Sequence, residues 1–202
     1  MINVGAFRFA AIIAILMILL GCARSEPVNY YILRSIQNPG PESPTALPER
    51  EPAVGVGPVK VPDYLDRPQI ASRLSDNGLQ FAEFDRWAEP LDKNLPRILA
   101  DNLAVLLPSQ RVFVFPWPKS VQVRYQVTLE IIHLEKASDG KVILEASWNI
   151  LDSNGEKLLL MRRTKLVQPV ESAGYDAVAS GESRAVEELS REIAEAIRSL
   201  PL

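Results

Sequence analysis

The clearest pattern in the chain is the alternation over Val121–Leu134, "VQVRYQVTLEIIHL". Val121, Val123, Tyr125, Val127, Leu129 and Ile131 fall on one face, and Gln122, Arg124, Gln126, Thr128 and Glu130 on the other. That period marks a half-exposed strand. Val142–Leu151 and Lys157–Val167 read as a hairpin around Ser153-Asn154-Gly155, a three-residue loop whose glycine suits a left-handed position in a type I turn with a bulge. This register sets Trp148 opposite Leu160 and Glu145 opposite Arg163, whereas a two-residue loop would bring Arg163 opposite Ala146. Arg111–Phe115, "RVFVF", reads as a short buried strand, and Leu79–Trp87 and Asn29–Ser35 as two more.

Ala53–Val61, "AVGVGPVKV", is a strand with a slip. Val54 and Val56 share one face while Val59 and Val61 have the opposite parity, so a bulge at Gly57-Pro58 would return all four to one side. Because Pro58 has no N–H for a ladder, it is expected either on an edge strand or in the bulge itself, and an exposed edge here would be one candidate docking strand for a partner. Two helices complete the pattern. Leu91–Leu107 carries Leu95, Ile98, Leu99, Leu103, Leu106 and Leu107 at helical spacing; Pro96 places its regular start near Lys93–Leu95 and Pro108 ends it. Tyr175–Leu200 carries a stripe of Val186, Leu189, Ile193, Ile197 and Leu200. About seven strands and two main helices give an α+β domain, a mostly antiparallel sheet packed with the helices.

The beginning of the chain has another character. Arg8 is the only charge before an unbroken apolar run, Phe9–Leu20, which is too short to span a bilayer, where roughly 20 residues are needed. The order of basic start, apolar stretch and small residue is that of a secretory signal. It closes on Leu19-Leu20-Gly21-Cys22, which contains the one cysteine of the chain and resembles the bacterial lipobox. That resemblance implies cleavage after Gly21 and a covalent lipid on Cys22. Ala23, where an aspartate would favour the inner membrane, points to the outer membrane. The expected organisation is a signal over 1–21, a short tether over 22–28, and a periplasmic domain over 29–202 interrupted by a proline-rich loop at 37–51. Six extended residues reach only about 20 Å, so the domain stays near its membrane.

Composition narrows the function. Losing the signal removes Arg8 and leaves 21 basic against 25 acidic residues, a net charge near −4 that argues against a nucleic-acid partner. With Cys22 lipidated no thiol remains for a disulfide or a cysteine metal site, and no cofactor beyond that lipid is expected.

At "YYILR", "VGVGPVKVPDYLDRPQI" and "FDRWAEPLDKNLPRILADNLAVLLP" the chain resembles the PqiC/YmbA-type lipoproteins, auxiliary components of ABC/MCE transport systems, over roughly Tyr30–Leu200. The most specific segments are Pro62–Ile70 and Arg86–Leu91. The resemblance implies a small α/β domain on the periplasmic face of the outer membrane, without catalytic activity. It would cooperate with an inner-membrane-anchored MCE-domain protein in moving lipids or other hydrophobic compounds between membranes.

The inventory of reactive residues is thin. His133 is the only histidine, at a strand end on the face of Val121–Ile131, and neither a metal site nor a triad can be assembled around it. Asp63, Asp66, Glu83 and Asp85 read as solvated charges, and "GVGP" lacks the lysine of a phosphate loop. Asp66, Arg67, Gln69, Arg86 and Trp87 have two readings. In one they form a contact surface for a neighbouring subunit or the MCE partner, and Arg67→Ala or Trp87→Ala weakens capture at unchanged melting temperature. In the other, Arg67 braces a loop and Trp87 caps the core. A homo-oligomer such as a ring fits the small size of the domain. An independent lipid carrier is the alternative, and it requires an apolar pocket of several hundred cubic ångströms between sheet and helix.

Overall fold

The computed structural model describes residues 26–37, 53–107 and 111–200. The signal segment, the lipobox with Cys22, most of the proline-rich loop and Pro108 lie outside the described residues. The elements are β1 Asn29–Tyr31, β2 Ala53–Lys60, β3 Gln69–Arg73, β4 Leu79–Trp87, α1 Leu91–Leu106, β5 Val112–Val114, β6 Val123–Lys136, β7 Val142–Leu151, β8 Leu158–Gln168 and α2 Tyr175–Ser199.

The alternating run, β6, is the trunk of the sheet. One flank carries β7 and then β8, both antiparallel. On the other flank the first part of β6 pairs with β2, which pairs with β5, and its last residue, Lys136, pairs with Ser72 of β3, which leads to β4 and β1. The α+β class with two helices stands, but the sheet is mixed rather than mostly antiparallel. Among the described residues four of the seven pairings, β1–β4, β2–β5, β2–β6 and β3–β6, are parallel. Tight turns join the antiparallel neighbours, whereas the parallel ones are separated in sequence by long connections.

The slip in β2 is where the parity placed it. Val56 pairs with Val127 and Val59 with Leu129, so Gly57 and Pro58 together oppose one residue of β6 and the valines keep one face. Gly57 has φ +119°, and a Cβ there would meet Phe115 Cβ at 2.9 Å, so glycine suits the bulge on both counts. The edge position is corrected. Val54–Val56 is flanked by β5 and β6, and Val54 and Val56 are buried, which removes this run as a docking strand. Pro58 sits in the bulge itself, just past the last β2–β5 pair, where it is exposed.

Four further expectations shift. β3 is a strand in a stretch that carried no element in the sequence reading. β5, outermost on its flank, is only half-covered, and Phe115 is exposed. In the β7–β8 hairpin Trp148 faces Arg162 and Glu145 faces Lys165, two residues away from the expected register. The loop is longer than three residues, since Asp152 N–H donates to Lys157 O, although Gly155 does take the left-handed conformation at φ +72°. The acid–base pair survives diagonally, with Arg163 Nε donating to Glu145 Oε1 at 2.8 Å. Finally, α1 starts at Leu91, so Pro96 sits within the helix. The buried stripe Leu91, Leu95, Ile98, Leu99 and Leu103 begins there, and its packing outweighs the hydrogen bond that Pro96 omits.

α1 packs over β2 and β5, α2 over β6–β8, and the helices pack on each other. Trp148, Leu144, Ile150, Leu189 and Ile193, all under 2% exposed, occupy the layer between α2 and the sheet. The N-terminal strand is shorter than expected, because after Tyr31 the chain leaves β4 and is bound to the helices. Leu33 N–H donates to Asn94 Oδ1 at 3.1 Å, Arg34 N–H to Ser183 Oγ at 3.1 Å, and Ile36 N–H to Asn102 Oδ1 at 2.7 Å. Asn102, itself buried, donates to Ser190 Oγ at 3.0 Å.

Candidate functional site at the Pro62–Ile70 segment

The segment Pro62–Ile70 forms a turn leading from β2 into β3. Leu65 N–H and Asp66 N–H both donate to Pro62 O, which tightens the turn, and Leu65 and Ile70 are anchored in the core. Tyr64 reaches back to the end of β6. There a second bulge, between Ile131 and His133, reverses the alternation: Leu134 takes the core side and pairs with Leu144, while Glu135 pairs with Ile143. The bulge therefore takes His133 off the face of Val121–Ile131, where the unbroken alternation placed it.

Four polar side chains meet here. Tyr64 Oη donates to Glu135 Oε2 at 2.9 Å and lies 3.3 Å from His133 Nδ1. Arg73 Nε donates to Glu135 Oε1 at 2.8 Å, His133 Nδ1 lies 3.2 Å from the same oxygen, and Leu134 N–H donates to Oε2 at 2.9 Å. Glu135 is 1% exposed, so its carboxylate depends on these partners. Burial, and then the charge and hydrogen bond of Glu135, push the Tyr64 hydroxyl well above the ordinary tyrosine range. It therefore acts as a donor and not as a base. The arrangement offers no activated nucleophile, and its action is to fasten the turn to the sheet. Sequence reasoning missed this cluster, because Tyr64 and Glu135 lie 71 positions apart. The available signal was the adjacent Ile131-Ile132, which breaks the alternation.

Tyr64→Phe is expected to cost about 1–2 kcal/mol in chemical denaturation, since the hydroxyl serves a buried charged acceptor. A raised tyrosine pKa adds stability that is complete below the unfolded value near 10 and is lost as pH rises through the folded value. The variant should therefore show a shallower alkaline loss. Tyr31, pushed up to about 12 by burial and by Asp85, retains its own share. Unchanged stability would show that the bond carries no load.

The proposed contact residues gather at the opposite end of the same turn. Gln69 pairs with Arg86 across β3 and β4, Trp87 N–H donates to Pro68 O, and the Arg67 guanidinium lies 4.2 Å from the Phe81 ring centroid. Asp66 and Arg67 are exposed, and Gln69 and Arg86 half-buried. The side chain of Trp87 does not join them: it is 5% exposed and belongs to the hydrophobic core.

The model of the family of ABC-type transport auxiliary lipoprotein components matches residues 31–194, nearly the whole described domain. The chain belongs to this auxiliary lipoprotein family. Relatives include the intermembrane transport lipoprotein PqiC of Escherichia coli (strain K12), 32% identical over 91% of this chain and 94% of that protein, and PqiC of Shigella flexneri with the same figures. The fold recurs in a solved uncharacterized protein with TM-score 0.70 and 24% identity, covering 85% of this chain and 99% of that one. It recurs also in a Xanthomonas campestris structure with TM-score 0.65 and 19% identity, covering 83% of this chain and 93% of that one. The protein is thus an auxiliary lipoprotein of a transport system.

A cleft of about 550 Å³ opens in this auxiliary lipoprotein between Arg34–Gln37 and the first half of α2. Its lining is polar: Arg34 donates to Ser180 Oγ at 3.3 Å, and Arg184 donates to Pro169 O at 2.7 Å and faces Glu171 at 3.6 Å. This is not the apolar pocket that a lipid carrier needs, and side chains fill the layer between α2 and the sheet.

Proposed function

We propose that this protein is a non-enzymatic subunit anchored through lipidated Cys22 to the periplasmic face of the outer membrane. There it positions a small rigid domain to receive an MCE-domain protein anchored in the inner membrane, in the transfer of lipids or other hydrophobic compounds. The observation that carries the reading is the match of the family over residues 31–194 in a chain that also presents Leu19-Leu20-Gly21-Cys22. The PqiC relatives are named for intermembrane transport, which supports the direction of the argument. The family of transport auxiliary components and the relatives named for intermembrane transport support a scaffold over an enzyme. Asp66, Arg67, Gln69 and Arg86 form the contact surface, and a ring of copies would multiply it around a transport path.

The test is crosslinking in cells followed by purification from membranes. An inner-membrane MCE-domain protein is expected with the wild type, and less of it with Arg67→Ala. Its absence from the crosslinked material overturns the partner. In parallel, the mature domain carrying Cys22→Ser, exported behind an ordinary cleaved signal, is expected in the soluble periplasmic fraction. Retention in the envelope would overturn the lipid anchor.

A further inference from the structure

The structure also bears on which end of the domain faces the anchoring membrane. β1 runs parallel to β4, with Asn29 beside Asp85 and Tyr31 beside Trp87. The chain before Asn29 therefore arrives from the side where β4 begins, at Leu79. Glu26–Val28 continue without a turn or bend. At about 3.3 Å per residue, Glu26 lies roughly 10 Å upstream of Asn29, and the start of β4 roughly 10 Å further on. From Glu26 to Cys22 the chain spans at most about 14 Å. Four residues are thus long enough to reach the level of the β3–β4 turn and little beyond it.

Three other features share that end. Ser72, next to the last residue of β3, pairs with Lys136, the last of β6, so the β6–β7 turn at 137–141 lies beside the β3–β4 turn at 74–78. Gln168 at the end of β8 pairs with Val142, which brings the β8–α2 connection to the same place. The β7–β8 turn at 152–157 lies at the other end, about 33 Å away along the ten residues of β7. To bring that end to the membrane, the chain would have to reverse before Glu26 and then pass the whole length of β1 with four residues.

The surface at the anchored end suits a bilayer. Leu74 is 59% exposed at the β3–β4 tip, where its N–H donates to Gly78 O at 2.9 Å, so a closed turn holds an apolar side chain outward. Val167 is also exposed, and Lys141, ion-paired with Asp139 at 3.4 Å, stands in the neighbouring turn. Tyr30 and Ile32, also exposed, lie at the other end of β4, beside Arg86 and past Trp87. Leucine suits the headgroup–acyl boundary.

We propose that this end rests on the phospholipid surface with Leu74 inserted at the interface, leaving the β7–β8 end directed away from the membrane. This orientation rests on the lipid-anchor reading. Because Cys22 is the only cysteine and is consumed by lipid, single cysteines can be introduced and labelled without competition. Leu74→Cys, Ser138→Cys and Asn154→Cys all fall in exposed positions outside strands and helices. Each full-length lipidated protein is coupled to an environment-sensitive fluorophore, reconstituted into phosphatidylethanolamine–phosphatidylglycerol vesicles and floated on a density gradient.

In the floated protein, position 74 is expected to show blue-shifted emission that is quenched by a lipid-borne nitroxide. Position 138 should be quenched less, and position 154 should match the label in water. Floated protein with position 74 in water, or with position 154 quenched, overturns the orientation and leaves the anchor intact. Protein that fails to float overturns the anchor and the orientation with it.

Discussion

Trp87→Ala is expected to lower the melting temperature by about 6–20 °C, whereas Arg67→Ala changes it by no more than about 4 °C. Trp87 is 5% exposed within the main core cluster, and truncating a buried tryptophan costs about 3–5 kcal/mol. In a chain of this size each kcal/mol shifts the midpoint by about 2–4 °C. Arg67 is exposed and stacks on Phe81, an interaction of about 0.5–1 kcal/mol at a surface. Thermal unfolding followed by circular dichroism separates the two. A Trp87→Ala midpoint equal to that of wild type would show that the ring contributes little to the core. Loss of partner capture in Trp87→Ala is then a consequence of weakened folding, whereas loss in Arg67→Ala reports contact.

Glu182→Met is expected to stabilise the protein by about 2 kcal/mol at neutral pH, in line with other replacements of poorly paired buried charges. Glu182 is 1% exposed on α2, and its Oε2 has no hydrogen-bond partner among the described residues. The neighbouring Gly181 lets the helix approach the sheet so closely that a Cβ there would meet Val142 Cγ2 at 3.0 Å, which leaves little room to rearrange. Burial, and to a lesser extent the charge on Glu135, push the Glu182 carboxyl well above the ordinary value. A carboxyl raised in this way binds its proton more tightly in the folded state. Its contribution to stability is complete below the unfolded pKa near 4.3 and declines as pH rises through the folded value. The wild type should accordingly lose stability over that span, and Glu182→Met should not. The advantage of the variant therefore grows with pH. Parallel pH profiles for the two proteins in urea denaturation would contradict the assignment.

What could be read in the sequence was mostly what depends on neighbours along the chain. The valine parity across Gly57-Pro58 revealed a bulge, because a period of two records any slip. β4 and α2 were visible for the same reason: their patterns are long and local. Features set by distant segments were not visible. The edge status of β2 turned on β5, which arrives only after α1. Pro96 appeared to delay the helix, yet the leucine stripe beginning at Leu91 had packing partners that no local rule contains. The hairpin register slips by two because the loop closes through Asp152 and Lys157, one residue beyond a three-residue loop, and the irregularity between Ile150 and Leu151 adds the second. At the site, Pro62–Ile70 stood out by resemblance, but the reason Tyr64 belongs there, a carboxylate on β6, requires the fold. For Trp87 the sequence leaves both a surface contact and a core cap open, and the burial of its ring supports the cap. Its backbone does border that surface, while its ring points the other way.

Tension applied through the lipid would enter the domain along Asn29–Tyr31, three residues of sheet that on their own would peel away. The next links are the bonds from Leu33, Arg34 and Ile36 to Asn94, Ser183 and Asn102, which distribute the load to both helices. Such tension therefore frays the leading strand first and moves the domain as a body only once it reaches the clamp at Leu33–Ile36.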